Sequence, residues 1–180
     1  MSLFAATVKD SACAEMTDTN RISNRNDANK TFFCGYVHPD QTTSLFKAHK
    51  NGTDQTISTG TFTQCTLGTE VWDVGSNFAS NAWTPPAGKV SMVCNLGHLW
   101  TNNNSHNWAE VRKNGTSIRS VGQDGAGNSN WDIMSFVVQD IANGSDVYTV
   151  YGYIESQSGG TATFNGSSSH TNFSGVWLGL

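Results

Sequence analysis

Three observations predict an all-β protein. Apolar-aromatic runs of strand length recur roughly every 10 to 15 residues, with Gly, Asn, Asp and Pro between them. No window holds a sustained apolar repeat of about 3.6 residues, so no amphipathic helix is expected. Charged residues make up 13% of the 180-residue chain, against about 25% in an ordinary domain. Asn, Ser, Thr and Gly fill the gap, which favours strands and hydrogen-bonded turns. A disordered chain would have few aromatics, whereas this one carries six Trp and nine Phe that need burial.

Residues 1–44 stand apart from the rest. They hold much of the charge (Lys9, Asp10, Glu15, Asp18, Arg21, Arg25, Asp27, Lys30) and one apolar run, TFFCGYV, that stops at His38-Pro39. They read as an attachment segment, and residues 45–180 as a single domain. From Leu45 the punctuation becomes regular. LFKAHK runs into Asn51-Gly52, a pair that commonly turns hairpins, so a hairpin is expected there. TISTGTFTQCTL alternates polar and apolar residues around Phe62 and Leu67, and EVWDV leads through Gly75-Ser76-Asn77 to Phe78 and Trp83. After Pro85-Pro86-Ala87-Gly88 comes a long strand with Val90, Met92, Cys94 and Leu96 on one face.

NWAEVRKNGTSIRSVG forms a hairpin about Asn114-Gly115. WDIMSFVVQDIANGSDVYTVYGYIES is two strands joined at Asn143-Gly144-Ser145-Asp146. In the second, Tyr148, Val150, Gly152 and Ile154 alternate with Val147, Thr149, Tyr151 and Tyr153. Both faces are bulky, so this strand is buried on each side, or buried inside and pressed on a partner outside. QSGGTATFNGSSSHT reads as an edge hairpin, and FSGVWLGL as a last strand whose apolar residues need a place within a sheet. About ten strands with these turns make a β-sandwich of the jelly-roll kind.

The net charge of -4 and the absence of a basic run exclude general nucleic-acid binding. No apolar stretch reaches the ~18 residues of a membrane span. The opening MSLFAATVKDSACAEM lacks a basic start, and Lys9 and Asp10 break its apolar run, so no secretory signal is expected. Cys13, Cys34, Cys65 and Cys94 are widely spaced, with no CxxC pair. Free thiols are the expectation without export; with it, three disulfide pairings stay open. Zinc is disfavoured, because structural sites usually place two ligands a few residues apart.

Five fragments in order resemble the globular head domain of complement component 1q, within the tumour-necrosis-factor-like jelly-roll superfamily. FKAHKNGTDQTISTGTFTQC is similar to that family's opening strand pair, and EVWDVGSNFASNAWTPPAGKVSMV to its central stretch. VRKNGTSI resembles its Lys-Asn-Gly hairpin, NGSDVYTVYGYI its Gly-x-Asp strand, and FSGVWLGL its closing strand. The match runs from Phe46 to Leu180. Val90 stands where the family usually has an aromatic, and no collagen-like Gly-x-y run precedes the domain. The resemblance implies a homotrimer, and the two-faced strand makes Tyr148, Val150 and Tyr151 the candidates for its interface.

It also implies a setting, because heads of this kind without collagen occur in bacteriophage fibres and virion appendages. The expectation is a non-enzymatic virion protein, made in the host cytoplasm, that decorates a capsid or forms a fibre head. Its N-terminal segment would bind other virion proteins, and its head a host glycan or receptor. The competing reading is a carbohydrate-binding module of a bacterial or environmental protein. For glycan contact the candidates are Trp100, His106 and Trp108, around the amide-rich loop TNNNSH, which His98 and His106 flank. Asp124-Gly125-Ala126-Gly127-Asn128 with Asp132 could offer oxygens to calcium, but roughly six to eight are needed and no calcium-loop pattern is present. No metal or other cofactor is assigned. No nucleophile, zinc or nucleotide motif occurs. Glu70, Asp73, Glu110 and Glu155 could pair for glycoside cleavage only if folding brought two together, so no catalytic residue is assigned.

Overall fold

The computed structural model describes residues 44–101, 104–124, 130–156 and 161–179. The expected attachment segment, with Cys13 and Cys34, lies outside them. Thirteen strands occur among the described residues: β1 Leu45–His49, β2 Gln55–Ile57, β3 Thr63–Gln64, β4 Thr69–Val74, β5 Phe78–Ala79, β6 Ala82–Trp83, β7 Gly88–Trp100, β8 Asn104–Lys113, β9 Thr116–Asp124, β10 Asn130–Ala142, β11 Tyr148–Ser156, β12 Ala162–Phe164 and β13 Asn172–Gly179. Several short pieces account for the excess over the ten expected.

The strands form two antiparallel sheets. In the first, β7 pairs along its whole length with β10, from Gly88↔Ala142 to Trp100↔Asn130. Its other edge is shared by β13, over Lys89–Asn95, and β12, over His98–Trp100. Beyond them lie β1 and then β4 at one end, and β2 at the other. The second sheet runs β5-β6-β11-β8-β9, with β3 also on β11. The expected Asn51-Gly52 hairpin does not form. Gly52 does turn, at φ 92, but its N–H donates to Gly166 O at 2.9 Å, and β1 and β2 take different partners. The final apolar strand lies between β7 and β1, whereas 161–171 is not an edge hairpin, because β12 sits between β2 and β7.

Two-residue turns with both φ positive match the twist of a hairpin. Ser80-Asn81 (φ 51 and 64) joins β5 to β6, and Asn114-Gly115 (φ 51 and 82) joins β8 to β9. The second turn is tied to the loop before β11. Asn114 Nδ2 donates to Asp146 Oδ1 at 2.8 Å and Val147 N–H to Asn114 Oδ1 at 2.9 Å. Lys113 Nζ stands 3.0 Å from both Asp140 Oδ2 and Asp146 Oδ2, and Tyr148 Oη donates to Asp140 Oδ2 at 2.8 Å. Desolvation works against both carboxylates, yet the hydrogen bonds outweigh it and hold each below the usual range, Asp140 through Lys113 and Asp146 through Asn114 and Lys113. An Asn and an Asp distant in sequence thus lock three chain segments together.

The core between the sheets is aromatic. Phe46 stacks on Phe78 (4.8 Å, 12°) and meets Trp83 and Phe173, each at 5.0 Å. Trp83 Nε1 donates to the buried Ser44 Oγ at 3.2 Å. Two glycines make room for core side chains. A Cβ on Gly175 would stand 2.7 Å from Phe46 Cε1 and Trp83 Cζ3, and one on Gly152 would stand 2.5 Å from Leu96 Cδ2 and Phe164 Cε1. The face predicted for β7 is the inner one: Val90, Met92, Cys94 and Leu96 are all buried. Cys65 and Cys94 are buried free thiols. Burial pushes the Cys65 thiol up to about 12, with Lys50 opposing in part.

His98 closes the same face. It is fully buried and meets Phe164 edge-on at 5.8 Å. Burial pushes it down to about 4, and the nearby Trp108 backbone opposes this only in part. Folded His98 takes its proton below about 4 and the unfolded chain already below about 6.5, so stability rises with pH between those values. Acidification from pH 6.5 to 4 is expected to remove about 3 kcal/mol through this one residue. His98→Phe keeps the edge contact and should flatten that part of a curve of urea midpoint against pH. The Asp140 and Asp146 contributions fall away only at lower pH, as their depressed carboxyls protonate. In the same assay at pH 7, Gly175→Ala is expected to cost about 1–3 kcal/mol by overpacking.

Candidate functional site

Alternation along each strand assigns every side chain to the inside of the sandwich or to one of two outer faces. On β11, Tyr148 and Val150 point inward and are buried within the single chain. They fill the core, so their side chains cannot form the trimer interface expected of them. Tyr151 has the opposite parity and lies on the outer face of the second sheet, where the Arg112 guanidinium covers its ring at 4.0 Å.

Among the described residues a broad exposed apolar surface lies on the outer face of the first sheet. Pairing registers Val137 against Val93, and carries that row across Ser174 and Lys47 to Trp72. The next row runs Gln139, Ser91, Val176, Leu45 and Val74. Ile141 and Leu178 extend the patch, and their exposures of 68% and 57% are large for aliphatic side chains. A further row, Ser135, Asn95, Asn172 and His49, bounds it with polar groups, Asn95 Nδ2 donating to Asn172 Oδ1 at 2.8 Å. Sequence reading missed this face. The alternation of β10 carried the signal, because Ile133, Val137 and Ile141 oppose Met134, Phe136 and Val138 on one strand.

The glycan candidates separate as well. Trp100 is buried at the end of β7 and anchors the strand. Trp108 and His106 lie on the outer face of the second sheet and line one shallow groove of about 410 Å³, with Phe62, Glu110, Ser120 and Tyr153. Phe62 packs on Tyr153 at 5.1 Å. Trp108 rests on Gly122: a Cβ there would stand 2.4 Å from both Cδ2 and Cε3 of the indole and 2.8 Å from Cζ3. Such near-equal distances put one ring face over the Gly122 backbone and turn the other outward. His106 Nδ1 is 2.9 Å from Asp124 Oδ1, and its Nε2 is 3.9 Å from Glu155 Oε2. Glu110 is almost wholly buried at the groove floor, paired with Arg112 Nε.

The calcium candidate falls largely outside the described residues. Of its flanking carboxylates, Asp124 is held by His106, and Asp132 accepts from Gln123 Nε2 and from Ile133 N–H. Among the described residues no three His, Cys, Asp or Glu side chains gather to hold a metal ion, and no helix is long and apolar enough to cross a membrane.

Arg112 neutralises a buried carboxylate and covers Tyr151 and Phe62 at once. Arg112→Met is therefore expected to destabilise the chain by about 2 kcal/mol, less than a fully buried pair because Arg112 keeps some contact with water. Adding Glu110→Gln should recover part of that loss in a double-mutant cycle of urea unfolding. Strict additivity would mean that the pair contributes nothing.

No family model matches the chain, and no curated protein matches it in sequence. Solved structures do match. Eiger TNF from S. frugiperda superposes with a TM-score of 0.58 at 9% identity, covering 77% of this chain and 94% of that one. Murine APRIL gives 0.52 at 13% identity, covering 76% and 99%. The globular domain of zebrafish complement 1qA gives 0.49 at 12%, covering 75% and 97%. The order of the strands, the two sheets they build and the superpositions on Eiger TNF and APRIL identify the fold as the tumour-necrosis-factor-like jelly roll.

Proposed function

We propose that the chain is a non-enzymatic structural protein that works as a homotrimer, with the outer face of the first sheet as its assembly surface. The observation that carries this is the apolar face of β4, β1, β13, β7 and β10, exposed among the described residues. Trp72, Val74, Val93, Val137, Ile141, Val176 and Leu178 are all more than a third exposed on it. Apolar residues grouped on one broad sheet face call for cover, and burying them favours association at about 25 cal/mol per Å² before the costs of binding. The number three comes from the family resemblance seen in the sequence.

The setting we propose is a bacteriophage virion, with the head projecting as a capsid decoration or fibre knob and residues 1–44 attaching it to other virion proteins. The polar, Asn/Ser/Thr/Gly-rich composition supports this. Three identical heads would also multiply weak contacts to a host surface through avidity.

Light scattering on the purified chain at micromolar concentration tests the assembly. The expected mass is three times 19.4 kDa. Val137→Glu, at a site 57% exposed, should give monomers that keep the wild-type circular dichroism spectrum. A monomeric wild type would refute the proposal, and so would a trimer indifferent to Val137→Glu, since the surface would then lie elsewhere. The virion setting is tested by mass spectrometry of purified particles, in which the chain should appear at a fixed stoichiometry.

A further inference from the structure

We infer that the groove on the outer face of the second sheet is a carbohydrate site for a neutral pyranose. In it Trp108 stacks on the sugar ring, and Glu110, His106 and Ser120 meet the hydroxyls. The site lies on the sheet opposite the assembly surface, so it stands whether or not the chain forms trimers.

The platform comes first. A pyranose presents a patch of C–H groups on one ring face and hydroxyls around its edge, so it needs a flat apolar surface with polar groups at the margin. Trp108 is 40% exposed, and its indole is backed by Gly122, where any side chain would collide with it. The backing face is fixed and the outward face is free before any ligand arrives. Tyr153 and Phe62, packed together at 5.1 Å, continue the apolar surface along the groove.

The polar margin matches the second requirement. Glu110 is 4% exposed in all, yet it lines the groove. Arg112 Nε meets one of its oxygens, and a carboxylate can accept several hydrogen bonds. His106, held against Asp124, and Ser120 supply the other groups. A few placed polar groups among aromatic side chains are what an orienting ligand site requires.

Charge decides which ligand. An aromatic groove with carboxylates could also hold a cation. Here the cationic position is already filled, because the Arg112 guanidinium lies 4.0 Å from the Tyr151 ring centre and 5.2 Å from that of Phe62. The same guanidinium balances Glu110. At the rim, Asp124 and Glu155 flank His106, and their charges repel sialylated, sulfated or uronic sugars. What remains is a neutral ring, a hexose or an N-acetylhexosamine.

Saturation-transfer NMR and tryptophan fluorescence titration on the full chain test this, with chitotriose, maltotriose and lactose as neutral probes and 3′-sialyllactose as the charged partner of lactose. At least one neutral probe should bind, with saturation strongest on the C–H face of one ring. Trp108→Ala should weaken it about tenfold or more. Gly122→Ala, which leaves Trp108 in place but displaces its ring, should weaken it about threefold or more. Trp131→Ala, at an exposed Trp outside the groove, should leave it unchanged, and sialyllactose should bind less well than lactose. The inference is overturned if no neutral probe binds at about 10 mM, if binding survives Trp108→Ala in a folded variant, or if the sialylated sugar binds as well as the neutral one. None of these outcomes bears on oligomeric mass, so failure here leaves the assembly proposal separately testable.

Discussion

The structure depends on how completely the gap between its two sheets is filled. Facing sheets stand about 10 Å apart, and here Phe46, Phe78, Trp83 and Phe173 occupy that space ring against ring. Glycine is required at 175 on β13, opposite Phe46 and Trp83, and at 152 on β11, opposite Leu96 and Phe164, because a methyl group at either site would overlap an aromatic carbon. Once the interior is full, apolar residues of the opposite parity have no place inside the chain. Val93, Val137 and Ile141 are therefore exposed as a consequence of strand geometry, on the same strands whose other residues build the core.

That parity rule explains what could be read from the sequence and what could not. The long strand after Pro85-Pro86 was legible because Val90, Met92, Cys94 and Leu96 alternate with less apolar residues, and its inner face follows directly. The two halves of the 147–154 strand were legible as sets, but which set faces inward was not, since both contain tyrosines. Gly152 was the available clue: a glycine amid bulky residues marks the face where a neighbour approaches closely, and that face holds Tyr148 and Val150.

Pairing between distant segments was harder still. Asn51-Gly52 turns as expected but joins no hairpin, because β1 is claimed by β13 and β4, and local turn chemistry does not record that competition. The groove is non-local for the same reason. Trp108 and His106 stand near each other in sequence, but Tyr153 and Gly122 reach them only through the β8–β11 and β8–β9 pairings, and Phe62 through the pairing of β3 with β11. Trp100 is as aromatic as Trp108 and lies just beyond the same loop, yet it falls on the inner parity and is lost to the core.

The two outer faces differ in chemistry. One sheet shows a broad aliphatic surface with few charges, suited to a second copy of itself; the other shows a narrow aromatic groove rimmed by carboxylates and an imidazole, suited to a small polar ligand. Hydroxyl-radical footprinting of the protein at working concentration tests this division most directly, because it reports the access of each side chain to water. If the first sheet's outer face is the assembly surface, Trp72, Val93, Val137 and Ile141 are protected from oxidation, while Phe62 and Trp108 on the opposite face react as their exposure dictates. Oxidation of Val137 and Ile141 at the rate expected for the isolated chain would contradict it.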